Sequence, residues 1–168
     1  MKYIFIDPSG SFNEGKGHTG IASIIDDNWS TLKYSSIAAK DFETRYDYWL
    51  NIIYKAIDFD NPKDIEIIIE SFMIRTQGFL LGKMPETIQF IGALEFVCDT
   101  FHIKYSLQTP TQAKSRFKDE DLPKYIPGFE KRPNGRYYLN GKQVNDHIRD
   151  ALKHLLYFMR YKSKYGKS

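Results

Sequence analysis

Ile65-Glu66-Ile67-Ile68-Ile69-Glu70 is a short, almost uninterrupted β-branched run that ends on a carboxylate. Such a run is the pattern of a central strand covered on both faces. On its N-terminal side, Phe42, Tyr46, Trp49, Ile52, Ile53 and Ala56 recur every three to four residues. That spacing predicts an amphipathic helix ending near Asn61-Pro62. On its C-terminal side, residues 86–101 carry Ile88, Phe90, Ile91, Ala93, Leu94, Phe96, Val97, Cys98 and Phe101, which leave little polar face. A helix of that composition is buried on two sides, the second side covered either by a partner subunit or by the chain itself. Ile103 to Gln108 reads as a further strand. Thr109-Pro110-Thr111 then reads as an N-cap with proline in the first turn, opening a short basic helix through Phe117.

The flanking segments complete the order. Lys2 to Asp7 alternates in polarity, a turn-rich stretch from Pro8 to His18 follows, and Thr19 to Ile25 is again apolar. Asp26-Asp27-Asn28 turns the chain into a third strand around Thr31 to Ile37, an antiparallel meander. Residues 119–144 read as irregular, with Asn134-Gly135 and Asn140-Gly141 as turn signals. A last helix starts at Asn145 or Asp146, with Ile148, Ala151, Leu152, Leu155 and Met159 as its buried stripe. The order β-β-β-α-β-α-β-α predicts an α/β protein: a five-stranded mixed sheet flanked by helices, in a single domain over 1–168.

Composition narrows the class. With 168 residues, 42% of them hydrophobic, and a net charge of +3, the chain suits one folded globular domain. The lone Cys98 excludes an internal disulfide or a thiolate metal site, and no apolar run approaches the roughly 18 residues of a membrane span. The early Asp7 interrupts any signal-peptide apolar region, so the expected compartment is the cytoplasm. The small net charge conceals an asymmetry. Residues 1–100 hold nine Lys and Arg against fifteen Asp and Glu, a balance of −6, whereas residues 101–168 hold fifteen against six, a balance of +9. A basic segment interleaved with Tyr125, Phe129, Tyr137, Tyr138 and Tyr157 suits a polyanionic partner, or else a solvated lysine-rich surface over core aromatics.

Asp7 and Glu70 each end a predicted strand. If the two strands are neighbours, a spacing of about 4.8 Å brings both carboxylates within reach of one cation. On the last helix, His147 and Asp150 lie about 60° apart, with Asp146 a further ~40° round. Ionised carboxylates share a low-dielectric pocket only when a cation compensates them, and Mg²⁺ suits a few carboxylates that leave positions open. The row His147, Asp150, His154 could hold zinc, but no further His or Cys joins it in sequence. Singly, Asp7 before Pro8 also reads as a turn and Asp146 as a helix cap. The glycine-rich stretch 14–20 lacks phosphate-loop spacing and joins two strands.

Ile6-Asp7-Pro8-Ser9 with Thr19-Gly20, the strand ending Ile69-Glu70, and His147-x-x-Asp150-Ala151 on the last helix together resemble the RuvC-type Holliday junction resolvases of the RNase H-like superfamily. The likeness runs over nearly the whole chain, and its small size and basic C-terminal half resemble phage-encoded members, for which the compartment is the host cytoplasm. The resemblance implies an RNase H-like fold and metal-binding catalytic roles for Asp7, Glu70 and Asp150. His147 stands where the family usually has Asp and sometimes His, with Asp146 the alternative. Phe72 resembles the family's junction-wedging aromatic if one residue is deleted here.

The activity so implied is Mg²⁺-dependent endonuclease cleavage of four-way or other branched DNA by paired phosphodiester hydrolysis. Two ions are expected, with Mn²⁺ as a substitute, and the products carry 5′-phosphate ends. Lys114, Arg116, Lys118, Lys131, Arg132, Arg136 and Lys142 are the candidate phosphate contacts, with Tyr137 and Tyr138 as stacking groups. Paired cuts imply a homodimer, with helix 86–101 as its interface. The alternatives are a less selective nuclease on flap DNA or RNA–DNA hybrid, and a structure-specific DNA-binding module that does not cut.

Overall fold

The computed structural model describes residues 1–8, 12, 15–57, 59–71 and 86–161. Strand β1 (Lys2–Asp7) lies at the centre of a five-stranded sheet. It pairs antiparallel with β2 (His18–Ile25) and parallel with β4 (Ile65–Glu70). β2 pairs antiparallel with β3 (Asn28–Ala38), and β4 pairs parallel with β5 (Lys104–Gln108), giving the order β3-β2-β1-β4-β5. The predicted mixed sheet and its order of main elements are therefore present.

Strand pleating sends alternate residues to opposite faces, and the two faces are covered differently. Ile4 and Ile6 of β1 and Ile65, Ile67 and Ile69 of β4 face two helices, α1 (Arg45–Ala56) and α2 (Glu86–Thr100). The helix α1 starts three residues later than its apolar period suggests. Thr44 caps it, its side chain accepting from the Asp47 N–H at 3.2 Å, while Phe42 packs against the core from the preceding segment. Phe5, Ala22, Ile24 and Ile68 face the opposite way, against Ile148, Ala151, Leu152 and Leu155 of the last helix.

Helix α3 (Pro110–Lys114) opens after Thr109, where the sequence places it, and ends three residues before Phe117. Residues 119–144, read as irregular, are structured, with a 3₁₀ turn at Asp119–Asp121, α4 (Leu122–Tyr125) and a small antiparallel sheet of β6 (Phe129–Lys131), β7 (Tyr137–Leu139) and β8 (Lys142–Gln143). Strands of two or three residues are too short to show a period, whereas their turn was legible. Asn140 and Gly141 both adopt positive φ, 49° and 78°, as a tight hairpin requires. Helix α5 (Asp146–Tyr161) then begins, its first turn capped by Asn145, whose side-chain oxygen accepts from the Ile148 N–H at 3.0 Å.

The reading of helix 86–101 needs a correction. Phe90, Ile91, Leu94 and Cys98 are buried, but Phe96 is 71% exposed and Phe101 44% exposed. The described residues therefore leave the second apolar side of α2 uncovered.

Candidate metal-nuclease site

Asp7 and Glu70 fall at matched ends of adjacent parallel strands, one step beyond the pair Ile6 and Ile69. Alternation from Phe5 and Ile68, which pack under α5, puts both carboxylates on the α5 face. Gly20, opposite Asp7 in β2, lets α5 approach. A Cβ there would run into the His147 carbonyl oxygen. This close approach brings His147 Nδ1 to 3.7 Å from Asp7 Oδ2. Asp150, one turn further along α5, faces the same group through Lys114. The Lys114 ammonium sits 3.2 Å from Glu70 Oε1 and 3.0 Å from Asp150 Oδ2. His147, Asp7, Glu70 and Asp150 therefore converge, whereas Asp146 is exposed and bound by Arg149 at 2.7 Å.

The electrostatics divide the acid pair. Burial pushes the Asp7 carboxyl up to about 6, a rise to which the neighbouring Glu70 carboxylate adds. Burial acts on Glu70 in the same direction, but His154 and Lys114 outweigh it and hold Glu70 down at about 2. A proton shared by the pair therefore rests on Asp7 below about pH 6, while Glu70 stays ionised. The Asp7 carboxylate beside it raises His147 in turn.

His154 enters the sequence reading only through the zinc row, and the structure buries it completely. Its Nε2 lies 3.3 Å from Glu70 Oε2, its Nδ1 2.9 Å from Gln108 Oε1, and its ring stacks on Phe5 with centroids 4.5 Å apart. Phe5 and Asp7 alternate on one strand face, and that signal could have placed an α5 histidine near the acids. Lys153 was missed as well. Buried to 8% exposure, it bridges Asp150 Oδ1 at 2.6 Å and Asp119 Oδ1 at 2.9 Å. Arg149 binds the other Asp119 oxygen at 2.7 Å. The zinc row dissolves, since His147 turns to Asp7 and His154 to Glu70 and Gln108.

Lys114, expected on phosphate, stands in the acid site between Glu70 and Asp150. Tyr137, expected to stack, is buried in the core beneath Arg149, whose guanidinium lies 4.8 Å from the ring centroid. Arg116, Lys118, Lys131, Arg132, Arg136 and Lys142 are exposed. Phe72 lies outside the described residues.

Among the described residues, no three His, Cys, Asp or Glu side chains stand ready-made around a metal position. The reason is local, because ammonium groups of Lys114 and Lys153 already compensate both oxygens of Asp150. The donor set nonetheless suits a hard divalent cation. Glu70 and Asp7 present buried carboxylates at adjacent strand ends, and a cation between them would favour the ionised form of Asp7 that burial disfavours.

A central β1 flanked by an antiparallel meander and parallel β4 and β5, with acids at the ends of β1 and β4 under a final helix, defines an RNase H-like fold. No family model and no curated protein matches the sequence. Among solved structures, the chain is similar to Thermus thermophilus RuvC in complex with a Holliday junction substrate. That match has a TM-score of 0.62 at 15% identity and covers 99% of this chain and 96% of that one. A second Thermus thermophilus RuvC structure matches with a TM-score of 0.61 at 15% identity, covering 98% and 97%.

Proposed function

We propose that this chain is a Mg²⁺-dependent endonuclease that cuts branched DNA, with the four-way junction as its preferred substrate. The observation that carries the reading is the Asp7 and Glu70 pair at matched strand ends, faced by His147 and Asp150 of α5. It is supported by the overall likeness to a RuvC solved with a Holliday junction. Asp7, Glu70, Asp150 and His147 would hold the cation. When bound, Mg²⁺ would supply the charge that activates water and stabilises the leaving 3′ oxygen, a chemistry that would leave 5′-phosphate ends.

The remaining work falls to the chain. His154, Gln108 and Phe5 fix the orientation of Glu70, while Lys153 and Asp119 fix Asp150 from behind. Such restraint keeps the acids in one geometry while substrate enters. Arg116, Lys118, Arg132, Arg136 and Lys142 serve the phosphate backbone.

Symmetric cutting requires two copies. The exposed Phe96 of α2 and Phe101 just after it, with a groove of about 460 Å³ lined by Leu50, Ile53, Tyr54, Phe59, Val97 and Phe101, form the apolar surface on which a homodimer would close.

The test is cleavage of a synthetic four-way junction, compared with flap, plain duplex and RNA–DNA hybrid, with and without Mg²⁺. Paired nicks near the branch point, lost in Asp7→Asn with binding retained, are the expected result. Preference for flap or hybrid would replace the substrate assignment. Wild-type protein that binds a junction and never cuts it would make the chain a binding module.

A further inference from the structure

An acid site repels the phosphate backbone it must approach, so affinity has to come from an adjacent basic surface. Residues 130–143 carry Lys131, Arg132, Arg136 and Lys142 against Glu130 alone, and all five are exposed. Pleating divides the small β6-β7-β8 sheet into two faces. Phe129, Tyr137 and Leu139 turn into the core. Glu130 and Tyr138, paired across β6 and β7, and Gln143, paired with Tyr138 across β8, turn outward.

On that outer face, the Arg132 guanidinium lies 3.9 Å from the Tyr138 ring centroid, and its Nε donates to Glu130 at 2.7 Å. Arg136 Nη1 donates to Gln143 Oε1 at 3.3 Å, and its backbone N–H donates to Asn134 Oδ1 at 3.0 Å. The turn is closed by the Gly135 N–H donating to the Arg132 carbonyl at 2.9 Å. Both guanidiniums are therefore held in place before any ligand arrives, and a planar guanidinium fork matches phosphate oxygens. The opposite face is clamped to the acid site. Arg149, which stacks under Tyr137, also donates to the Val144 carbonyl at 3.3 Å and immediately precedes Asp150.

The geometry points to the outer face of β6-β7-β8 as a grip on the phosphate backbone of one duplex arm, made without reading its bases, with Arg132 and Arg136 as its fixed points. This inference rests on the nuclease reading above and assigns that enzyme the surface that positions its DNA.

Fluorescence anisotropy of a labelled four-way junction and of a plain duplex, without divalent metal and across a salt series, tests it. Each phosphate contact contributes about 0.9 to the slope of log K against log salt. The combined Arg132→Gln, Arg136→Gln variant is expected to flatten that slope by about 2 and to weaken binding of both DNAs by ~10-fold or more. Glu130→Gln, which removes the lone acid, is expected to tighten binding a few-fold, and it keeps the test open should the double variant fail to fold. A folded double variant with the wild-type slope, or a Glu130→Gln protein with unchanged affinity, overturns the grip. Failure of the nuclease reading looks different. Wild-type protein that holds duplex as tightly as junction and cuts neither once Mg²⁺ is added, while the double variant still loses slope, removes the enzyme and leaves the grip. Binding of neither DNA by the wild type overturns both.

Discussion

The two faces of the sheet are built from the same strands and obey different rules. Under α1 and α2 the core is Ile, Trp, Phe, Tyr and Leu, with Tyr48 tied to the Thr19 hydroxyl at 2.7 Å and no charged side chain among its buried members. Under α5 the apolar layer of Phe5, Ile68, Leu152 and Leu155 stops at one end. There the same alternation delivers Asp7, Glu70 and Gln108, and α5 answers with His147, Asp150, Lys153 and His154. Buried ions cost several kcal/mol each to desolvate, so a chain that retains them on one face only has placed its chemistry there. The contrast can be broken most sharply by rate. Glu70→Gln is expected to lower junction cleavage by about 10²–10³-fold. Ile52→Ala, fully buried on the other face, should lose about 2–5 kcal/mol of stability and keep its rate per folded molecule. Single-turnover cleavage paired with urea unfolding measures both, and a common loss of rate would erase the distinction.

Stability should separate the faces by mechanism as well as by size. His154→Leu sets an apolar side chain against the buried Glu70 carboxylate and leaves Lys114 as its remaining cationic contact among the described residues, so it is expected to cost about 3 kcal/mol. Unlike a cavity on the α1 side, that cost depends on a charge. In the double variant His154→Leu, Glu70→Gln much of it should return, with a coupling energy of at least ~1 kcal/mol in a double-mutant cycle. Additive losses would mean that His154 is ordinary packing.

The acid pair also makes the α5 face sensitive to pH, with opposite signs for its two members. Asp7 is raised from 3.8 to about 6, so its contribution is present below pH 3.8 and is lost as pH rises through about 6. Glu70 is lowered from 4.5 to about 2, so its contribution is present above pH 4.5 and is lost as pH falls through about 2. Above pH 6 the metal-free protein therefore carries a cost at Asp7 that an uncharged side chain escapes. Asp7→Asn is expected to be more stable than wild type at pH 8 by about 1–2 kcal/mol, after allowing for the lost His147 contact, and nearly equal to it at pH 4. Thermal melts in chelator across that range check the crossing. The same offset at both pH values would rule out the shared proton.

What could be read in the sequence follows the same division. The α1 face was legible because apolar period and β-branched runs are local signals, and they placed both strands that carry Asp7 and Glu70. The ion pairs of the α5 face were not, because they depend on the meeting of segments far apart in the chain. Lys114 looked like one more basic surface residue until the fold set it between Glu70 and Asp150, and His154 had no local feature to set it apart from a core histidine. The small β6-β7-β8 sheet failed to show for a simpler reason, since strands of two or three residues carry turn signals but no period.

The smallest effect on the folded chain concerns the outer surface of the α1 face. Phe96 is 71% exposed, so Phe96→Glu removes little buried area and is expected to change monomer stability by less than about 0.5 kcal/mol. Its consequence should appear only in assembly. A carboxylate set into an apolar interface between two copies would have to be desolvated on both sides, and so dimer formation is expected to be lost. Sedimentation equilibrium of wild type and variant reads the mass directly, and nicking of a four-way junction reads its function. A dimeric wild type should cut both strands in one encounter, while a monomeric Phe96→Glu protein should accumulate singly nicked junctions because its acid site is untouched. If the variant remains dimeric, the apolar side of α2 does not form the interface. If the wild type is a monomer on DNA, the two faces differ in chemistry but not in assembly.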